Sequence, residues 1–120
     1  ETIWNIDNLN RDEALWACEG LGSVNRLWSN ISKNVTSIFG VSITQQQIEY
    51  LKQFKQVIYI PDFDKAGFDS VKYLQTKLDN IIVCDTKSED TDDSYIDDIK
   101  KADLLKPAQY ISKYYLKFIL

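Results

Sequence analysis

The sequence predicts an α/β fold, a three-layer α/β/α domain with a mainly parallel sheet of about four strands. Short apolar runs without internal alternation are typical of strands that are buried on both faces. Between these runs, apolar residues recur at helical spacing, and strands that alternate with helices form parallel sheets. A length of 120 residues with 44% hydrophobic residues suits one compact domain.

Each predicted element rests on a local pattern. The strand predictions are four apolar runs, at residues 14–18, 35–39, 57–60 and 81–84, with residues 2–6 as a further edge strand. Helical periodicity predicts a first helix from Leu21, and Ser42 with Gln45 predicts a capping box for a second. Three further helices are predicted around residues 71–78, from 94 to 101, and after Pro107.

The composition excludes several classes of protein. The chain contains no His, which removes Ser-His-Asp hydrolysis and histidine-zinc centres, and its two Cys are isolated at Cys18 and Cys84. No apolar run approaches the roughly 20 residues of a membrane helix, so we expect a cytoplasmic protein without a membrane partner. Because the sequence starts at Glu1 and contains no Met, we expect one domain of a longer protein.

Negative charge is concentrated in one segment. The net charge is −4, from 18 acidic and 14 basic residues. Residues 85–103 hold eight of the acids and three of the bases, which leaves ten acids and eleven bases elsewhere. A solvated acidic loop is one interpretation of this segment, and a cation site is the other.

Acidic residues follow three of the predicted strands. Glu19 follows the first, Asp62 and Asp64 follow the third, and Asp85 with the acids of residues 89–93 follows the fourth. Since ligands of parallel sheets collect at the carboxyl ends of the strands, we expect a ring of carboxylates that binds a divalent cation there. The alternative is that Asp64 caps the next helix and Asp62 is a turn residue.

Two ordered motifs resemble the TOPRIM domain, which is shared by bacterial-type DNA primases, type IA and type II topoisomerases and small nucleases. They are Trp16-Ala-Cys-Glu19-Gly20 and Ile58-Tyr-Ile-Pro-Asp62-Phe-Asp64-Lys-Ala-Gly67. The resemblance covers roughly residues 2–100. Ala-Gly after the Asp-x-Asp is similar to the primase form, and Asp90-Thr-Asp92 is similar to the Asp-Pro-Asp element of primases and phage primase-helicases.

The resemblance implies a DNA primase domain that synthesises RNA primers by nucleotidyl transfer, spanning residues 1–103, with a C-terminal helix in residues 104–120. It implies Mg²⁺ or Mn²⁺ as cofactor, single-stranded DNA and nucleoside triphosphates as partners, and a replicative helicase as a further partner. The implied catalytic residues are Glu19, Asp62 and Asp64. The implied metal ligands are the same three with Asp90 and Asp92, while Gly20 and Gly67 shape the backbone and Lys65 is a candidate phosphate contact.

Alternatives remain open at this point. Ser23 stands where primases commonly have a second acid after Glu-Gly, which fits a divergent phage or plasmid primase, a TOPRIM nuclease or a non-catalytic docking domain. A topoisomerase module with the same fold is a further alternative. Asp-x-Asp after a strand is also found in haloacid-dehalogenase-type phosphatases. Those enzymes have Thr or Val two places after the second Asp, where this chain has Ala66.

Overall fold

The protein folds into a sheet with helices on both faces. This computed structural model describes residues 9–19, 21–38, 43–87 and 95–119. The strands in these ranges are β1 (Leu15–Cys18), β2 (Val35–Ser37), β3 (Val57–Ile60), β4 (Ile81–Asp85) and β5 (Asp103–Leu105). The helices are α1 (Leu21–Asn30), α2 (Gln45–Leu51), α3 (Lys65–Gln75), α4 (Tyr95–Lys101) and α5 (Pro107–Phe118).

The strand order is β2-β1-β3-β4-β5, and the first four strands are parallel. This confirms the predicted α/β class with a mainly parallel sheet. The sequence analysis missed β5, which pairs antiparallel with β4 at the edge of the sheet. Its three residues are exposed or half-buried and are too few to show a strand pattern in the sequence. The predicted edge strand at residues 2–6 lies outside the described residues.

Alternate residues of the central strands contribute to two hydrophobic layers. Val57 and Tyr59 of β3 face the layer that contains residues of α2, α3 and α5. Ile58 and Ile60 face the other layer, which contains residues of α1 and α4. Because side chains alternate between the faces of a strand, a continuous apolar run is what a doubly covered strand requires.

Helix α2 begins later than the sequence pattern predicted. The prediction of a capping box from Ser42 to Gln45 is wrong, because the N-cap is Thr44 and its partner is Gln47. The Thr44 hydroxyl accepts a hydrogen bond from the Gln47 amide at 3.1 Å, and the Gln47 side chain accepts from the Thr44 amide at 3.0 Å. Both pairs have the same spacing, and the helix starts where the second pair can close the box.

Helix α5 begins at Pro107, which confirms the helix predicted there, and Pro suits the first turn because its missing amide has no partner in that turn. It packs against α3 and against β4 and β5. These contacts place α5 on the same face of the sheet as α3, the helix that follows the loop after β3. The division of the chain into residues 1–103 and 104–120 stays a prediction. None of the helices in the described ranges combines the length and apolarity needed to cross a membrane.

Candidate functional site

Parallel strands bring Glu19 and Asp62 to the same edge of the sheet. Strands β1 and β3 are neighbours, and Cys18 at the end of β1 lies beside Ile60 at the end of β3. Glu19 directly follows β1, and Asp62 is the second residue after β3. The two carboxylates therefore leave adjacent strands at their carboxyl ends, although 43 positions separate them in the sequence.

The Asp62 carboxylate lies in a region of unfavourable negative charge. Its pKa is raised, first by partial burial and then by the charge of Asp64. One residue separates the two acids, and the amide of Asp64 donates a hydrogen bond to the carbonyl of Asp62 at 2.9 Å. The Asp-x-Asp pair thus forms a compact, electronegative group beside Glu19.

Asp64 is also the N-cap of α3, so the capping interpretation is correct for this residue. Its Oδ1 atom accepts a hydrogen bond from the amide of Gly67 at 2.7 Å. A cap of this kind satisfies one of the free amides of the first helical turn. It uses one carboxylate oxygen, and the same side chain can therefore serve both a cap and a ligand.

Gly67 fits the loop because it lacks a side chain. A Cβ atom at this position would overlap the backbone carbonyl oxygen of Asp62. That carbonyl accepts a hydrogen bond from the Asp64 amide at 2.9 Å, which closes a tight turn between the two acids. The close approach of α3 to the Asp-x-Asp loop therefore depends on glycine at residue 67.

Lys65 is the first residue of α3 and its side chain is largely exposed. Its ammonium group forms an ion pair with Asp69, one helical turn later, at 3.2 Å. An exposed pair of this spacing contributes little to stability and exchanges readily for another anion. The predicted role of Lys65 as a phosphate contact stays a prediction.

Glu19 is held by a buried tyrosine. The hydroxyl of Tyr59 donates a hydrogen bond to Oε1 of Glu19, and Tyr59 itself is completely buried. Burial raises the pKa of Tyr59 well above its ordinary value, and the negative charges of Glu19 and Asp62 raise it further. The phenol therefore stays protonated and remains a donor.

Asp85 does not belong to an open ring of carboxylates, and that expectation is wrong for this residue. It is the last residue of β4 and is 1% exposed. Its carboxylate accepts hydrogen bonds from Lys113 at 2.7 Å and from the hydroxyl of Tyr114 at 2.7 and 2.9 Å. The amide of Lys87 donates to it at 3.1 Å. Asp85 is thus a buried anchor for α5.

Several predicted site residues lie outside the described residues: Gly20, Asp90 and Asp92. Ser23 lies within the backbone of α1. Within the described ranges, no group of three or more Cys, Asp or Glu side chains is arranged to hold a metal ion. The described part of the edge thus supplies Glu19, Asp62 and Asp64, and the roles of Asp90 and Asp92 stay predictions.

The donor set at this edge fits a hard divalent cation. Mg²⁺ binds carboxylate oxygens and usually takes only one or two from the protein, with water and phosphate oxygens completing its shell. Partial burial and then repulsion from Asp64 raise the pKa of Asp62. A cation beside Asp62 and Asp64 would remove that repulsion.

Sequence reasoning missed the side chains that support the site. Tyr59 was part of an apolar strand, Tyr114 was part of the predicted helix after Pro107, and Lys113 was not singled out. One signal was present, since a tyrosine in an otherwise aliphatic buried strand needs a partner for its hydroxyl. The partner itself, Glu19, is visible only once β1 and β3 are paired.

Comparison with known families agrees with this geometry. A family model described as Toprim-like matches residues 18–98, which include Glu19, Asp62 and Asp64. No curated protein matches the chain. Toprim domains are typically catalytic, are associated with metal-dependent phosphoryl transfer on nucleic acid, and generally bind Mg²⁺. Because the match covers more than half of the sequence, the chain belongs to the Toprim-like family.

Proposed function

We propose that this chain is the catalytic domain of a DNA primase, which joins ribonucleotides into primers on single-stranded DNA with Mg²⁺ or Mn²⁺. The observation that carries the proposal is the convergence of Glu19 with Asp62 and Asp64 at the carboxyl edge of β1 and β3. The primase subtype is supported by the sequence Asp62-Phe-Asp64-Lys-Ala-Gly67 and by Asp90-Thr-Asp92. A replicative helicase as partner and a phage or plasmid source belong to the same proposal.

Asp62 and Asp64 would hold the cation. A bound Mg²⁺ supplies positive charge against the phosphate oxygens during transfer. Asp62 offers an exposed carboxylate, and Asp64 is fixed in place because its Oδ1 caps α3. This fixation means that little reorganisation is needed when a ligand binds, which is the main source of electrostatic catalysis.

Glu19 would act on the proton or share the cation with Asp62 and Asp64. Its Oε1 is engaged by the Tyr59 hydroxyl, and Oε2 is then the atom left to accept the proton of a primer 3′ hydroxyl or to bind the cation. Holding the attacking hydroxyl near the nucleotide converts a bimolecular encounter into a step within one complex. Lys65, on the first turn of α3, would exchange its pair with Asp69 for a phosphate.

A nuclease is the second candidate, and the same carboxylates would serve it. The observation in its favour is Ser23, which replaces an acid that is usual in primases. A topoisomerase module has less support, because an acid is more often found just before Gly67 in that class, where this chain has Ala66. A docking domain that has lost catalysis is the third candidate, and the experiments below distinguish it from the other two.

Calorimetric titration with Mn²⁺ tests the cation site. The double variant Asp62→Asn/Asp64→Asn should abolish saturable binding and keep the fold, because Asn is also a good N-cap. The matched control is Asp12→Asn/Asp79→Asn, which removes two exposed carboxylates at the opposite edge of the sheet and should bind as the wild type does. Equal binding by the wild type and Asp62→Asn/Asp64→Asn contradicts the proposal.

Two activity assays on the protein as its gene encodes it then separate the candidates. Primer synthesis from ribonucleotides on single-stranded DNA, lost in Asp62→Asn/Asp64→Asn, supports a primase. Metal-dependent cleavage of DNA without synthesis supports a nuclease. Mn²⁺ binding without either activity supports a docking domain.

A further inference from the structure

The hydroxyl of Tyr59 is a polar group in the middle of the core. Tyr59 is 0% exposed, and its ring faces the hydrophobic layer under α3. A buried hydroxyl without a partner is costly, so its partner matters. The partner is Oε1 of Glu19, to which the Tyr59 hydroxyl donates a hydrogen bond.

The sheet register determines why this phenol reaches Glu19. Tyr59 lies beside Ala17 of β1, and Glu19 follows two positions later on the same face of the strand. The phenol thus extends toward the carboxyl edge and ends at the Glu19 carboxylate. The contact therefore joins β3 to the residue that follows β1.

We propose that Tyr59 is a positioning residue that makes Glu19 a one-oxygen ligand and selects Mg²⁺ or Mn²⁺ over Ca²⁺ at this site. Within the described part of the chain, Tyr59 contacts Glu19 through Oε1, so Oε2 is left for a cation or a proton. Mg²⁺ requires near-octahedral coordination, to which carboxylates contribute single oxygens, whereas Ca²⁺ accepts more ligands and bidentate carboxylates. This inference rests on the proposed cation site.

The orienting effect also has an entropic part. A free Glu side chain loses rotamer entropy when it is fixed. The buried phenol fixes Glu19 before any ligand arrives, so this cost falls on folding and not on binding. Partners that orient a metal ligand in this way typically change metal affinity by tenfold or more.

The test compares Mn²⁺ and Ca²⁺ titrations of wild type and Tyr59→Phe. The variant loses one hydroxyl and keeps the ring. We expect Mn²⁺ affinity to fall roughly tenfold, while Ca²⁺ affinity stays equal or rises because both Glu19 oxygens become available. Tyr73→Phe, on the far end of α3, is the control and should leave the ratio of affinities unchanged. An unchanged ratio in Tyr59→Phe overturns the proposal.

A double-mutant cycle separates positioning from a general structural effect. If Tyr59 acts through Glu19, Tyr59→Phe should have no further effect on Mn²⁺ affinity in a Glu19→Gln background. An equal fall in both backgrounds shows a structural role only and overturns the inference. Thermal melts check the fold. If Tyr59→Phe does not fold, Glu19→Asp carries the test, because its shorter side chain draws the carboxylate away from the phenol and should lower the ratio of Mn²⁺ to Ca²⁺ affinity in the same direction.

The outcomes distinguish this inference from the proposed function. Mn²⁺ binding that depends on Asp62 and Asp64 but not on Tyr59 leaves the proposed function standing and refutes the positioning role. Absence of saturable Mn²⁺ binding in the wild type refutes both. A fall in kcat for Tyr59→Phe at unchanged nucleotide KM gives independent support when thermal melts show the same folded fraction as in the wild type, because a smaller folded fraction would also lower kcat alone.

Discussion

The ring of Phe63 packs edge-on against the ring of Tyr114, with their centroids 5.0 Å apart. Phe63 is the middle residue of the Asp-x-Asp loop, and Tyr114 lies on α5. Phe63 also packs on Phe118 of the same helix, at 5.4 Å. The C-terminal helix therefore supports the loop that carries both candidate cation ligands, Asp62 and Asp64.

Replacing Phe63 should loosen this loop. We expect Phe63→Ala to lower the free energy of unfolding by about 1–3 kcal/mol, because it loses two aromatic contacts of about 0.5–1.5 kcal/mol each. It should also weaken Mn²⁺ binding, since the loop loses its support. Denaturant unfolding and calorimetry measure the two effects. Tyr115→Ala, an exposed aromatic on α5, is the control, and full Mn²⁺ affinity in Phe63→Ala would show that α5 does not support the site.

Because Asp85 anchors α5, removing the Tyr114 hydroxyl should lower the free energy of unfolding substantially. Tyr114→Phe removes the phenol that donates to both oxygens of a buried carboxylate. Because hydrogen bonds to charged groups contribute about 1.5–3 kcal/mol, we expect a loss of this size in the free energy of unfolding. Tyr115→Phe, the neighbouring exposed position, should be neutral. Equal stabilities of the two variants in urea would contradict the anchor.

Asp62 is predicted to lower the stability of the metal-free protein. Its pKa is raised in the folded state, so ionised Asp62 is unfavourable above that pKa and the penalty disappears as the carboxylate is protonated. Asp62→Asn should therefore be more stable than wild type at pH 7, by a few tenths of a kcal/mol for a half-exposed group. Below the ordinary carboxylate pKa the difference should vanish. Thermal melts in EDTA across pH 3–8 measure it, and a variant that is less stable at pH 7 would refute the prediction.

A methyl group at residue 67 should displace the Asp-x-Asp loop. In Gly67→Ala the new Cβ overlaps the Asp62 carbonyl, which is backbone and cannot turn aside. We expect a loss of about 1–3 kcal/mol, the usual cost of overpacking, together with loss of Mn²⁺ binding. Ala66→Ser, at the exposed neighbouring position, should change neither quantity. Wild-type Mn²⁺ affinity in Gly67→Ala would mean that the loop geometry does not matter for the cation.

Both cysteines should be unreactive in the folded protein. Cys18 and Cys84 are buried and form no disulfide, and burial together with the neighbouring Asp85 raises the pKa of the Cys84 thiol to about 12. The thiolate is the reactive species, so a disulfide reagent at pH 8 should label neither thiol until the protein is denatured. Labelling then should reach two equivalents per chain. A thiol that reacts rapidly without denaturant would show that this region opens.

The strand and helix patterns were strong enough to predict most of the fold. Four parallel strands and the helices between them were visible because buried runs such as residues 57–60 and 81–84 contain no polar residue. The missed strand β5 and the shifted start of α2 have a common cause. A three-residue edge strand and a choice between two capping pairs are decided by contacts with the rest of the chain, since the local patterns are weak or equivalent.

The sequence by itself determined the class of fold, the order of the acids along the chain and their position after strands, because periodicity and strand ends are local properties. The tertiary structure decided which acids belong together. It brought Glu19 beside Asp62 through the pairing of β1 and β3, placed Tyr59 under Glu19, and turned Asp85 inward to Lys113. These choices depend on strand order and register, and they join residues that are far apart in the sequence, so no local pattern contains them.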